Sequence, residues 1–280
     1  MKILFLGDIV GEPGRKLVKR ALPRLREKLA LDLVVVNAEN AAGGSGLDPR
    51  CYHQLAASGV DAVTMGDHIY KKKEILSLFQ EGFPICKPAN FPPEAPGPDH
   101  LIVSASDGTK VAVVSLLGRM FMRPVDCPFH AIDRVLESIG KKAKVILVDI
   151  HAEATSDKQC MLRHLVGRVS ALMGTHTHVP TADAAVFPPG TGYITDVGMT
   201  GPYDSVIGRR FDRVLHATTT FEPKPFDVAT GDPRISGALL DVDPATGRAN
   251  AIELVHWDRA KLDVLLGEES SPTLEPPANP

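Results

Sequence analysis

Short apolar runs alternate with helical patterns along the first 175 residues of the chain. Lys2 to Leu6 is an apolar run closed by Gly7-Asp8. Residues 14 to 29 then space Leu17, Val18, Ala21, Leu22, Leu25 and Leu29 as one helical stripe with basic residues between them. Leu33 to Val36 is a second run, ending in Asn37-Ala38-Glu39-Asn40, and Asp48-Pro49 marks a helix start, with Asp as N-cap and Pro at the first helical position. A third run, Ala62 to Met65, ends in Gly66-Asp67-His68, and a helix pattern follows over Glu74 to Phe79. This β-α-β-α-β rhythm predicts strands buried on both faces with helical crossovers.

The segment Pro84 to Pro98 is proline-rich and predicts a loop, because proline fits neither a helix interior nor a central strand. Leu101 to Ala105 and Val111 to Leu117, joined through Asp107-Gly108, predict a β-hairpin. The rhythm then resumes with a helix over Ala131 to Ile139, a run Val145 to Ile150 ending in His151, and a helix over Lys158 to Val166. A last run, Val169 to Met173, ends in Gly174-Thr175-His176-Thr177-His178. From Ala184 onward short strands and turns are expected, with no helix before Arg259 to Leu266. No linker-like segment divides residues 1–266, so one α/β domain is expected, with 267–280, rich in Pro and Glu, as a disordered tail.

Composition narrows the class. An apolar content of 44% over 280 residues supports a large core, and no apolar run reaches the roughly 18 residues of a membrane span. The N-terminal run meets Asp and Gly at once and reads as a buried strand, not a signal peptide. Cys51, Cys86, Cys127 and Cys160 are scattered without paired spacing, which points to reduced, mostly buried thiols in a cytoplasmic protein. With 31 basic and 34 acidic residues the net charge is −3, so general nucleic-acid binding is not expected.

The chemistry is positional. Apolar runs stop at Asp8, at Glu39-Asn40, at Asp67-His68, at His151 and at His176-x-His178. In an α/β sheet, ligands bind where loops converge at the carboxyl ends of strands, so these residues are expected on one rim. Alone, each has a plainer reading: an Asp after a strand caps or turns, and His53, His100, His130, His164, His216 and His256 read as surface or satisfied histidines. Together they predict a metal centre. Carboxylate, amide and imidazole ligands without thiolate suit Mn, Fe or Zn. Asp8, Glu39, Asn40, Asp67, His151, His176 and His178 are too many for one tetrahedral ion, and Glu39 can bridge, so two divalent ions are expected, roughly 3.5–4 Å apart. Three carboxylates against two divalent ions leave a small positive charge that suits a singly charged phosphodiester.

Gly7, Gly11 and Gly14 resemble a dinucleotide-binding loop, but the G-x-G core is absent and Asp8 repels a pyrophosphate. No G-x-S-x-G elbow supports a Ser-His-Asp triad.

Gly7-Asp8, Asn37-Ala38-Glu39-Asn40, Gly66-Asp67-His68, His151 and Gly174-Thr-His-Thr-His178 resemble the ordered motif set of calcineurin-like metallophosphoesterases. More narrowly, GDIVGEPGR, VVNAENAAGG, HAEATSDK, GTHTHVPTAD and TDVGMTGPYDSVIG are similar to the signatures of the YmdB-type bacterial phosphodiesterase family, over residues 3 to about 208. The resemblance implies a four-layer α/β/β/α sandwich of two mixed sheets flanked by helices. It also implies a dinuclear centre hydrolysing small phosphodiesters, with cyclic nucleotides as the expected substrates. Carried over by position, Asp8, Asn40 and His178 hold one ion, Glu39 bridges, and Asp67, His151 and His176 hold the other. His68 then protonates the leaving oxygen after attack by a bridging hydroxide. Two positions depart from the family pattern: Val10 stands where most metallophosphoesterases carry a ligand His, and Asp67 replaces the usual Asn, adding one negative charge.

Two rival readings remain. A metal-dependent amidohydrolase or deaminase also uses H-x-H, but after the first strand of an eight-fold repeat, which this chain lacks. A nucleotide- or metal-sensing regulator shares the ligands without turnover. Arg119 and Arg123 read as solvated, Trp257 as core or interface packing, and a homo-oligomer is left open.

Overall fold

The computed structural model describes residues 1–268, and the expected tail beyond Glu268 lies outside the described residues. The first half runs β1 (Lys2–Leu6), β2 (Asp8–Ile9), α1 (Gly11–Lys28), β3 (Leu33–Asn37), α2 (Pro49–Ala57), β4 (Ala62–Thr64), α3 (Ile75–Gln80), β5 (Ile85–Cys86), β6 (His100–Ser104) and β7 (Lys110–Leu117). The second half runs α4 (Pro128–Ile139), β8 (Val145–His151), α5 (Thr155–Leu165), β9 (Ala171–Thr175), β10 (Ala185–Phe187), β11 (Thr191–Ile194), β12 (Met199–Asp204), α6 (Phe211–Thr220), β13 (Gly231–Asp243), β14 (Arg248–Trp257) and α7 (Arg259–Leu266).

Two mixed sheets form. One has eight strands in the order β2-β12-β13-β1-β3-β4-β5, with β14 on the far edge of β13, and the other has six in the order β10-β11-β9-β8-β7-β6. Within the first, β1, β3, β4 and β5 are parallel, and in the second β7, β8, β9 and β11 are parallel. The period-two alternation of each strand sorts its side chains between two cores. Ile3, Phe5, Leu33 and Val35 meet Val113, Leu147 and Met173 between the sheets. Their neighbours Leu4, Leu6, Val34 and Val36 pack outward against the stripes of α1, α2, α3 and α7. On the other outer face Val114, Val148 and Leu172 pack on α4 and α5. The result is the α/β/β/α sandwich that the resemblance implies. Parallel strands buried on both faces explain the near-continuous apolar runs.

The Asp48 side chain caps α2 by accepting from the Cys51 amide at 2.8 Å, as the Asp-Pro pair predicts. Elsewhere the chain departs from expectation. Helix α6 lies where turns are expected, and it buries none of its residues, so no apolar stripe is tied to a core. Strands β13 and β14 are 13 and 10 residues long and pair as one extended hairpin. Their turn is held by Asp243, whose carboxylate accepts from the Ala245 amide and the Thr246 hydroxyl. The segment Pro84 to Pro98 contains the short strand β5, a parallel pair with β4. Only Cys51 and Cys86 are buried; Cys127 is half-buried and Cys160 exposed. Among the described residues no helix is long and apolar enough to cross a membrane.

Candidate metal centre

The carboxyl ends of the parallel strands deliver the polar residues from both sheets, not from a single rim. Asp8 opens β2 and pairs in register with Met199 of β12. Glu39 and Asn40 follow β3, Asp67 and His68 follow β4, His151 ends β8, and His176 and His178 follow β9. Asp8, Glu39 and His151 are fully buried or nearly so.

Glu39, Asp67, His151 and His176 each bring a ligand atom within 4.8 Å of the others, a group able to hold a metal ion. His151 Nε2 lies 3.2 Å from Glu39 Oε2, 3.3 Å from Asp67 Oδ1 and 3.0 Å from His176 Nδ1. Beside this group, His178 Nε2 is 3.7 Å from Asp8 Oδ1 and 3.1 Å from Asn40 Nδ2. Asn40 Nδ2 also lies 3.1 Å from Glu39 Oε1, so the amide turns its nitrogen to this second group and its oxygen to His68. Ligation through Asn40 Oδ1 takes a half-turn of that amide.

Each of the three imidazoles has a polar partner on its outer side. Thr175 Oγ1 donates to Asp149 Oδ1 at 2.7 Å, so it accepts from His151 Nδ1 at 2.8 Å. The Ile207 carbonyl accepts from His178 Nδ1 at 2.9 Å, and the Glu153 carboxylate lies 3.2 Å from His176 Nε2. Each ring thereby turns its other nitrogen into the cluster, the orientation that metal-ligating histidines require. Asp67 Oδ1 is buried and receives no hydrogen bond among the described residues, the signature of an atom meant for another partner. Gly66 completes the cradle, because a Cβ there falls on Glu39 Oε2 and the His151 ring. The donor set and its shape therefore fit a metal.

Backbone and charge carry the cost. His176 and His178 adopt φ values of 97° and 65°, a region that side chains other than glycine rarely occupy, and strain of this kind clusters at functional sites. Burial works to raise the Glu39 pKa, but the His151 and His68 imidazoles hold it well below the usual carboxylate range. Burial likewise works to lower the His151 pKa, and Glu39, Asp67 and Asp8 lift it well above the ordinary value. The hydrogen bond to Glu39 raises the pKa of His68. His68 Nδ1 lies 2.9 Å from Asn40 Oδ1 and 3.0 Å from Glu39 Oε1, which leaves Nε2 without a protein partner among the described residues.

Supporting residues escape a reading of strand ends. Asp149 is buried within β8, where it accepts from Asn37, Thr64 and Thr175, and burial pushes its pKa up to about 6. A carboxylate inside the apolar run Val145–His151 is the signal that could have found it. Lys158 of α5 pairs with Asp196 at 2.7 Å, both 1% exposed. Asp196 in turn accepts from the hydroxyl of Thr177, between the two site histidines. Glu153 and Arg209 line a cleft of about 320 Å³ that opens on Glu39, His68, His176 and His178. Arg119 and Arg123 are exposed and outside that cleft, as expected. His100, His164 and His216 pair with Asp99, Asp133 and Glu222 away from it.

A family model described as YmdB-like protein matches residues 4–255. A 2′,3′-cyclic-nucleotide 2′-phosphodiesterase of Bacillus subtilis is 44% identical over 255 residues, covering 91% of this chain and 96% of its own. The crystal structure of a hypothetical protein from Thermus thermophilus, 44% identical, superposes with a TM-score of 0.87 over 92% of this chain and 99% of that one. The structure of a novel phosphatase from Mycoplasma pneumoniae, 32% identical, superposes with a TM-score of 0.86 over 92% and 93%. The chain belongs to the YmdB-like family of proteins.

Proposed function

We propose that the protein is a metal-dependent phosphodiesterase that hydrolyses 2′,3′-cyclic nucleotides at the 2′ bond. The observation that carries this reading is the convergence of Glu39, Asp67, His151 and His176 within ligand distance of one another, beside Asp8, Asn40 and His178, at the floor of a cleft. The Bacillus relative's name supplies the substrate class.

In this reading Asp67, His151 and His176 would hold one divalent ion and Asp8, Asn40 and His178 a second, with the Glu39 carboxylate available to both. The hard and borderline donors suit Fe or Mn, with Zn also compatible. When bound, the ions polarise phosphoryl oxygens and make coordinated water acidic. Thr175 and the Ile207 carbonyl orient the His151 and His178 rings, and Glu153 stands 3.2 Å from His176 Nε2. His68, with Nδ1 held by Glu39 and Asn40 and its pKa raised, carries a proton on Nε2 and gives it to the departing O2′. The four cysteines without disulfides fit a cytoplasmic setting.

The test is a product assay on a 2′,3′-cyclic nucleotide and on a bis-aryl phosphodiester, with Mn or Fe and then with chelator. Release of a 3′-phosphate that chelator abolishes is expected. Stoichiometric metal and nucleotide binding without turnover sinks the reading and favours a sensor.

A further inference from the structure

The cleft carries a carboxylate that the ligand set leaves over. Glu153 lines it, together with Glu39, His68, His176 and Arg209. The Glu39 side chain is 1% exposed and lies against His68 and His151, whereas that of Glu153 is 52% exposed.

The backbone sets Glu153 on the wall of the cleft. It is the middle residue of the link 152–154 between β8 and α5. On one side of it the His151 carbonyl accepts from the Gly118 amide at 2.9 Å, and a Cβ at residue 118 would fall 2.5 Å from Ala152 Cβ. On the other side the Asp157 carboxylate accepts from the amides of Arg119 and Met120 at 2.7 and 2.9 Å, and the Asp157 amide donates to the Ala154 carbonyl at 3.1 Å. The link is thus tied at both ends to the loop that follows β7.

The charge of Glu153 is not cancelled. His176 Nε2 lies 3.2 Å from it, but an imidazole that ligates a metal is neutral. No Lys or Arg forms an ion pair with Glu153 among the described residues. Arg209, the one Lys or Arg among the lining residues, gives its guanidinium to the carbonyls of Gly43, Gly44 and Phe226 and to Ser45 Oγ. What enters the cleft and what leaves it differ by one charge. A cyclic phosphodiester is a monoanion, and the monoester formed from it, with a second pKa of about 6, is a dianion at neutral pH.

We infer that Glu153 is a specificity-determining residue: its carboxylate disfavours phosphomonoester dianions, so that the singly charged diester is taken in and the doubly charged product is let go. The inference rests on the phosphodiesterase reading above. Removing one negative charge favours a dianion over a monoanion by one unit of Coulomb interaction, roughly three- to tenfold across a half-solvated cleft.

The experiment uses full-length protein at saturating Mn, as wild type, Glu153→Gln and Glu153→Asp. Calorimetry measures binding of uridine 3′-monophosphate, and kinetics compare p-nitrophenyl phosphate with bis-p-nitrophenyl phosphate. The Gln variant keeps an acceptor for His176 and loses the charge. It should bind the nucleotide roughly threefold or more tighter, and its monoester-to-diester ratio of kcat/KM should rise roughly three- to tenfold, both shifts shrinking as salt rises. The Asp variant, which keeps the charge, should stay closer to wild type in both. A Glu153 that only holds His176 in place predicts lower metal content by elemental analysis and equal losses on both esters. That pattern, an unmoved ratio or an unmoved nucleotide affinity overturns the inference while diester turnover by the wild type keeps the phosphodiesterase reading. A wild type that cleaves neither ester overturns both.

Discussion

In the proposed reading His68 and His176 do different work, and substitution separates them. His68→Ala removes a proton donor that meets Glu39 and Asn40 but fills no ligand position. Turnover of a 2′,3′-cyclic nucleotide should fall by roughly 10²- to 10⁴-fold while metal content, read by elemental analysis, stays the same. His176→Ala should lose metal instead, and an unchanged metal content would remove it from the ligand set. The cysteines give a pH test. Burial, with Asp48 beside it, pushes the Cys51 thiol up to about 11, so its thiolate is scarcer than an ordinary thiol's at any pH below that value. Mass spectrometry after alkylation at pH 8 should find Cys160 modified and Cys51 intact, and rapid native labelling of Cys51 would contradict its burial. The candidate ligands were legible because each ends an apolar run, where a polar residue has no packing role. Glu153 and Arg209 were not, because their parts depend on loops that meet only in three dimensions.

Helices and strands were legible where they bury a face and illegible where they do not. The stripe of α1 is visible because Leu17, Val18, Ala21, Leu22 and Leu25 must all reach one core. Helix α6 has no such obligation, and its Thr-rich end gives no helix signal; Phe211 and Leu215 stay exposed. Hydrogen exchange should therefore find α6 the least protected helix after its fraying ends are set aside, and protection equal to that of α1 would show an unseen cover. Helix α5 makes the opposite case. Its Lys158 crosses to Asp196 at 2.7 Å in the interior, and Asp196 also accepts from the Gly198 amide and the Thr177 hydroxyl. Lys158→Met leaves a buried carboxylate without its cation, a change expected to cost about 3–5 kcal/mol in urea unfolding. Because Thr177 lies between His176 and His178, the same variant should also weaken metal binding. A loss of under about 1 kcal/mol would mean that water reaches Asp196 and replaces the lysine.

The two sheets meet at their carboxyl ends through side chains of like function: Glu39 and Asp67 come from the first sheet, His151 and His176 from the second. An ion held by all four is a crosslink between layers that otherwise meet through apolar packing and the hydrogen bonds of Asn37 and Thr64 to Asp149. It binds the folded chain and not the unfolded one, so it should stabilise by about 2.7 kcal/mol at 100-fold excess over its dissociation constant. For a chain of this size that corresponds to a melting temperature higher by roughly 5–10 °C. The gain should depend on pH in a direction set by His151. Its pKa is lifted well above the ordinary value by Glu39, Asp67 and Asp8, so in the metal-free protein a proton occupies the ligand set and partly offsets the carboxylates. Metal must displace that proton, and the thermal gain should therefore shrink as pH falls from 8 to 6. Scanning calorimetry of metal-loaded and chelator-treated protein at both values measures the difference directly. A melting temperature that ignores stoichiometric metal at pH 8 would mean the ion does not link the sheets, and a gain that grows on acidification would mean His151 is not among its ligands.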